Sequence, residues 1–154
     1  KTILDCRCPE TINLLEENNL LEGYAIPEIE PILVRTSRVL YENNVKSEDD
    51  CLIITTPCTQ LRDFAEDRLK GNKGIKFLTW KEFIESEGMK SLGKIDASPI
   101  PLGFFKNSFD KVLELSEEKR ILSDFKLLKE NKEEKYDIIE MLYCDGGCNS
   151  GNGL

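Results

Sequence analysis

Short apolar runs alternate with amphipathic stretches along this chain, and the junctions between them carry helix-start or turn signals. "TILD" reads as a strand, and Pro9, just past Cys8, suits the first turn of a helix over "ETINLLEENN". After the proline-marked loop "GYAIPEIEP", Pro31 opens a second helix whose Ile32, Leu33, Thr36, Val39 and Leu40 fall on one face. "ENNVKSEDD" is a polar break. "CLIITT" predicts a buried strand that Pro57-Cys58-Thr59 ends, with Cys51 as a small core residue at its start. Leu61, Phe64, Ala65 and Leu69 mark the helix behind it, "KGNKG" is a turn, and "IKFL" is a strand.

Thr79 and Glu82 have the spacing of a capping box, in which each side chain satisfies the other's backbone N–H. The helix they open, "WKEFIESEG", turns Trp80, Phe83 and Ile84 toward the core. "GKIDASPIPLG" holds too much proline and glycine for regular structure. "FFKNSF" predicts one short helix and "KVLELS" a strand. Ser116 is placed to cap a helix with Ile121, Leu122, Phe125 and Leu128 inside. "ENKEEK" is a solvated charge run, and "YDIIEMLY" is the last strand, running into Cys144. Strands alternating with helices predict an α/β fold, a mainly parallel sheet with helices on both faces.

Length and composition narrow the picture. The chain has 154 residues, 40% of them apolar and 32% charged. That is enough for one domain with a proper core, and with no repeat or linker evident, residues 1–154 read as a single domain. No apolar run reaches the length of a membrane span, and "KTILDCRCPE" lacks the signal-peptide pattern. The net charge is −8, with lysines and arginines scattered rather than striped. Such a balance argues against nucleic acid and anionic membrane as partners.

Histidine is absent. Ser-His and Cys-His dyads, His-ligated zinc and His proton relays go with it, so any metal must be held by thiolate or carboxylate. The six cysteines are Cys6, Cys8, Cys51, Cys58, Cys144 and Cys148. A core this size needs no disulfide staples, so a reducing cytoplasm is expected, where such cysteines bind metal or do redox work.

Three thiol sites share one kind of address. Cys8 and Cys58 each follow a strand and open a helix, and Cys144 and Cys148 follow the last strand. Ligands of open parallel sheets bind beyond the carboxyl ends of the strands. Helix N-termini carry partial positive charge and unpaired N–H groups, which favour thiolate over thiol. An iron–sulfur cubane needs four thiolates, and Gly146, Gly147, Gly151 and Gly153 would let the backbone approach it without a Cβ. The plain alternatives stand beside this. A Cys-x-x-x-Cys pair alone is weak evidence for metal, "GGCNSGNG" also fits a flexible tail, and Cys6 is either a spare ligand that could replace Cys8 or inert.

Three segments decide the balance. "IIEMLYCDGGCNSGNG" resembles the C-terminal signature of the iron-only hydrogenases, "TTPCTQLRDFAE" their second motif and "CRCPETINLLE" their first. "IPEIEPILVRTSRVL" resembles the segment between the first two. The likeness spans nearly the whole chain in the same motif order. It implies a [4Fe-4S] cluster held by Cys8, Cys58, Cys144 and Cys148, the last also bridging to a di-iron site in the family.

The departures gather at the di-iron site. The family's proton-carrying cysteine position is Arg7, and its cyanide-anchoring lysine position is Leu61. Its two methionine positions are Thr56 and Leu142. "ASPIPLGFF" stands for its glycine-rich pocket wall, and Glu30-Pro31-Ile32-Leu33 for its Ser-Pro-Gln-Gln stretch. An always-protonated arginine cannot carry a proton reversibly as a thiol does. The resemblance therefore implies a cluster-binding, hydrogenase-like domain for electron transfer or for redox or hydrogen sensing, without hydrogenase turnover. It further implies a fragment of a larger multidomain protein, whose partners would be ferredoxin-like or PAS-type sensor modules and a redox protein. The family's nuclear-prelamin-recognition-factor-like members, which work in iron–sulfur assembly, are another context. The alternatives are an active hydrogenase fragment, and a structural or interaction domain with idle or zinc-bound thiols.

Overall fold

The computed structural model describes residues 1–91, 93, 98, 100–131 and 135–154. The elements run β1 (Ile3–Leu4), α1 (Pro9–Glu17), α2 (Ile32–Asn44), β2 (Leu52–Thr56), α3 (Thr59–Leu69), β3 (Ile75–Thr79), α4 (Trp80–Ser86), β4 (Val112–Ser116), α5 (Glu118–Glu130) and β5 (Ile138–Leu142). The fold is α/β, and every strand pairing is parallel. The chain divides into two compact units, one of Lys1–Ile29 with Ile95–Ser150, the other of Glu30–Lys94 with Gly151–Leu154. Among the described residues no helix is long and apolar enough to cross a membrane.

The first unit is built on a three-stranded sheet of order β1-β5-β4. Ile138 pairs with Ile3 on one side and Val112 on the other. Ala25 lies beside β1, where Leu4 donates to its carbonyl at 2.9 Å. β5 is buried along its whole length, as expected of a strand flanked on both sides in a parallel sheet. Its Ile139 and Met141 join Leu4, Leu115, Leu14 and Leu15 of α1, and Ile121 and Phe125 of α5 in one apolar cluster. The same strand carries Glu140, fully buried between these apolar positions.

The second unit is a β2-α3-β3 crossover in which five residue pairs, Leu52↔Ile75 through Thr56↔Thr79, set the register. Its cluster is Val34 of α2, Ala65 and Leu69 of α3 and Phe77 of β3. Thr79 and Glu82 form the expected capping box at the start of α4.

Several local expectations are corrected. The inner face of α2 is Val34 and Ser37, while Ile32, Val39 and Leu40 are exposed. The apolar positions of this helix spread over more than one face, and the small Ser37 occupies the inner one. Cys51 is exposed, outside the β2 ladder. β2 alternates half-buried and exposed positions, Ile53 being 41% exposed. Trp80 is also exposed.

"FFKNSF" forms turns and no helix, and the N–H groups of Phe104 and Phe105 go to the Glu140 carboxylate. Ser116 does not cap α5. It remains in the β4 ladder opposite Leu142, and the cap position falls to Glu117, with φ of 75° and no side-chain cap. Parts of "GKIDASPIPLG" and "ENKEEK" lie outside the described residues.

Candidate metal centre

In the first unit, β1 leads through Asp5, Cys6 and Arg7 to Cys8, the N-cap of α1, with Pro9 in the first turn. The Cys8 carbonyl accepts from the Thr11 N–H at 3.2 Å and the Thr11 hydroxyl at 2.7 Å. Cys144 leaves β5, and a turn closes behind it where Gly147 donates to the Cys144 carbonyl at 3.0 Å. Gly146 and Gly147 have φ of +70° and +89°, a backbone region that disfavours other residues. A Cβ on Gly147 would stand 3.0 Å from Leu142 Cδ1. Cys148 then opens a 3-10 turn.

Cys8 and Cys144 come close enough to sense each other's charge. Burial pushes the Cys144 thiol up, and the negative charge of Cys8 pushes it further. Cys6 is also pushed up, by burial and then by the Asp5 carboxylate. Tyr143, next to Cys144, donates its hydroxyl to Glu118 at 2.8 Å, which holds the phenol protonated up to about 12.

In the second unit, Cys58 is the N-cap of α3, and its Sγ accepts the Leu61 N–H at 3.4 Å. Such a bond stabilises negative charge on sulfur. Both neighbours of Cys58 are bonded to the end of the chain. Asn152 accepts from the Thr59 N–H at 2.9 Å and donates to the Thr59 hydroxyl at 3.0 Å. Gly153 donates to the Pro57 carbonyl at 3.1 Å, and its own carbonyl accepts from Lys81 at 2.8 Å. The last residues are thus a bonded strap rather than a loose tail, and Gly153 makes its close approach to Pro57 and Thr79. Asn152 was not singled out by sequence reasoning, since an asparagine among glycines carries no periodic signal.

Arg7 lies at the heart of the first unit's polar chemistry. Its backbone N–H and Nε reach Asp5 at 2.9 and 2.7 Å, and Nη2 reaches Glu140 at 3.0 Å. Nη1 lies 3.3 Å from the carbonyls of Ile100 and Pro101. The guanidinium carbon lies 5.4 and 5.0 Å from the ring centroids of Phe104 and Phe105. Glu140 also accepts from the N–H groups of Gly103, Phe104 and Phe105 at 2.8, 3.2 and 2.7 Å. The Arg7 side chain is 7% exposed and that of Glu140 is fully buried. Burial pushes Asp5 up despite the opposing pull of Arg7. The sequence held one signal for this network: a glutamate inside "IIEML" must find a partner when the strand is buried.

The structure therefore places Cys8, Cys144 and Cys148 in one unit and Cys58 in the other. All six cysteines are thiols. Among the described residues no three Cys, Asp or Glu side chains converge as ligands of a single metal ion. A mononuclear zinc site would draw its donors around one point at bonding distance. Comparison with family models, curated proteins and solved structures finds no match.

Proposed function

We propose that this chain is a [4Fe-4S]-binding, hydrogenase-like domain for electron transfer or for redox or hydrogen sensing. Cys8, Cys58, Cys144 and Cys148 are its ligands. The observation that carries the reading is their placement. Each follows the carboxyl end of a parallel strand, and Cys8 and Cys58 are the N-caps of the helices that follow. The chain that carries Cys148 goes on, four and five residues later, to bond both neighbours of Cys58. When bound, the cluster supplies one-electron chemistry. The protein's own part is to hold the thiolates and hydrogen-bond the Cys58 sulfur.

Hydrogenase turnover is not part of the proposal. Arg7, at the position of the family's proton carrier, is committed to two carboxylates and two carbonyls. A guanidinium so held does not move aside cheaply. The partners that fit are other modules of a parent protein, ferredoxin-like or PAS-type, and a redox protein, in the cytoplasm.

Anaerobic reconstitution with iron and sulfide tests this. A brown protein with about four irons per chain is expected, with loss of iron in Cys58→Ser and Cys148→Ser. Iron binding by both variants equal to that of the parent overturns the assignment.

A further inference from the structure

Arg7 also bears on the cysteines themselves. It sits between Cys6 and Cys8 in the chain, yet its side chain ends on Glu140, four residues before Cys144 on β5. The segment leading to Cys8 is pinned at each step. Asp5 donates its N–H to the Ile139 carbonyl at 3.0 Å, Arg7 donates its own to Asp5, and Thr11 holds the Cys8 carbonyl. Both Asp5 and the guanidinium cross from this segment to β5, Asp5 through the Ile139 carbonyl and the Met141 backbone, Arg7 through the Glu140 carboxylate. The guanidinium reaches Asp5 and Glu140 at once, which the fork of an arginine can do and the single ammonium of a lysine does poorly.

We infer that Arg7 is a positioning residue, a strut that fixes the Cys6–Cys8 segment against β5, the strand that runs into Cys144. This rests on the proposed role of Cys8 and Cys144 as ligands, but the strut itself is a property of the metal-free protein. Cutting it frees the segment to open locally, without unfolding of the second unit.

The experiment is site-resolved alkylation of the cluster-free full chain with iodoacetamide, read by mass spectrometry. Arg7→Met is expected to speed alkylation of Cys8 by about tenfold or more, because removing one partner of a buried ion pair leaves the others uncompensated. Cys58, in the other unit, should stay within about twofold of its parental rate on the local-opening argument. Arg7→Lys should fall between parent and Arg7→Met. Should Arg7→Met fail to fold, Asp5→Asn removes one arm of the strut and is expected to speed Cys8 in the same direction. An unchanged Cys8 rate in a folded variant overturns the inference. So does an equal rise at Cys8 and Cys58, which would mark general destabilisation. Faster Cys8 alkylation with no iron taken up by the parent keeps the strut and removes the cluster. Iron uptake with an unchanged Cys8 rate does the reverse.

Discussion

Gly153 sits against Thr79 so closely that a Cβ on it would lie 2.7 Å from Thr79 Cβ and 2.8 Å from Thr79 Cγ2. The same glycine donates to the Pro57 carbonyl. Thr79 ends β3 and caps α4, so neither partner is a flexible tip that could yield. Gly153→Ala is expected to destabilise the second unit by about 1–3 kcal/mol, the usual cost of overpacking. Urea unfolding followed by Trp80 fluorescence reads it. A midpoint equal to that of the parent would mean that the strap lifts away at no cost.

Arg7 and Glu140 should show strong coupling in a double-mutant cycle. Arg7→Met strips two buried carboxylates of their cation, at about 3–5 kcal/mol, while Glu140→Leu leaves Arg7 paired with Asp5 alone and should cost less. The double variant is expected to cost less than the two together, with a coupling of about 1–3 kcal/mol. It will not reach neutrality, because the N–H groups of Gly103, Phe104 and Phe105 lose their acceptor. Strict additivity in equilibrium unfolding would refute the pairing.

Acid should weaken the second unit through Glu82. The Thr79 backbone N–H, and then Arg62, hold this carboxyl below its ordinary value. Its contribution is therefore fully present above the unfolded pKa, about 4.3, and is lost as pH falls through the lower folded one. Stability measured from about pH 6 down to about pH 3 should fall less steeply in Glu82→Gln than in the parent. Identical slopes would show that the capping carboxylate is not linked to folding.

Alkali should reveal Tyr143. With its phenol held at about 12 by Glu118, the folded state keeps a proton that the unfolded chain releases near pH 10. This contribution is present below the unfolded value and is lost as pH rises through the folded one. Glu118→Gln should lower the midpoint of tyrosinate absorbance for this residue, assigned by difference from Tyr143→Phe. No movement would exclude the Glu118 hydrogen bond as the cause.

Much of the fold was legible because backbone signals were local. Pro9 and the Thr79/Glu82 pair marked helix starts, and "CLIITT", "IKFL" and "KVLELS" marked strands, all by residues a few positions apart. What failed depended on remote partners. Ser37 is buried and Val39 exposed on α2, since tertiary packing chose the face. Ser116 was claimed by the β4 ladder before it could cap a helix. At the candidate centre, the N-cap positions of Cys8 and Cys58 were readable from the proline and strand beside them. The Asp5–Arg7–Glu140 network was not, because its members come from opposite ends of the chain, and only a lone acid in an apolar strand hinted at it. Asn152 was silent, its bonds to Thr59 being set by tertiary approach alone.

The path of the backbone between the two units has a practical result for anyone who would divide the molecule. Each unit is assembled from non-adjacent stretches, with crossings at 29/30, 94/95 and 150/151. No single cut of the gene yields either body whole. A stop codon after Ser150 would keep every cysteine yet strip the β2-α3-β3 unit of Asn152 and Gly153. A circular permutant that rejoins residues 151–154 to residues 30–94 is the way to study that unit alone.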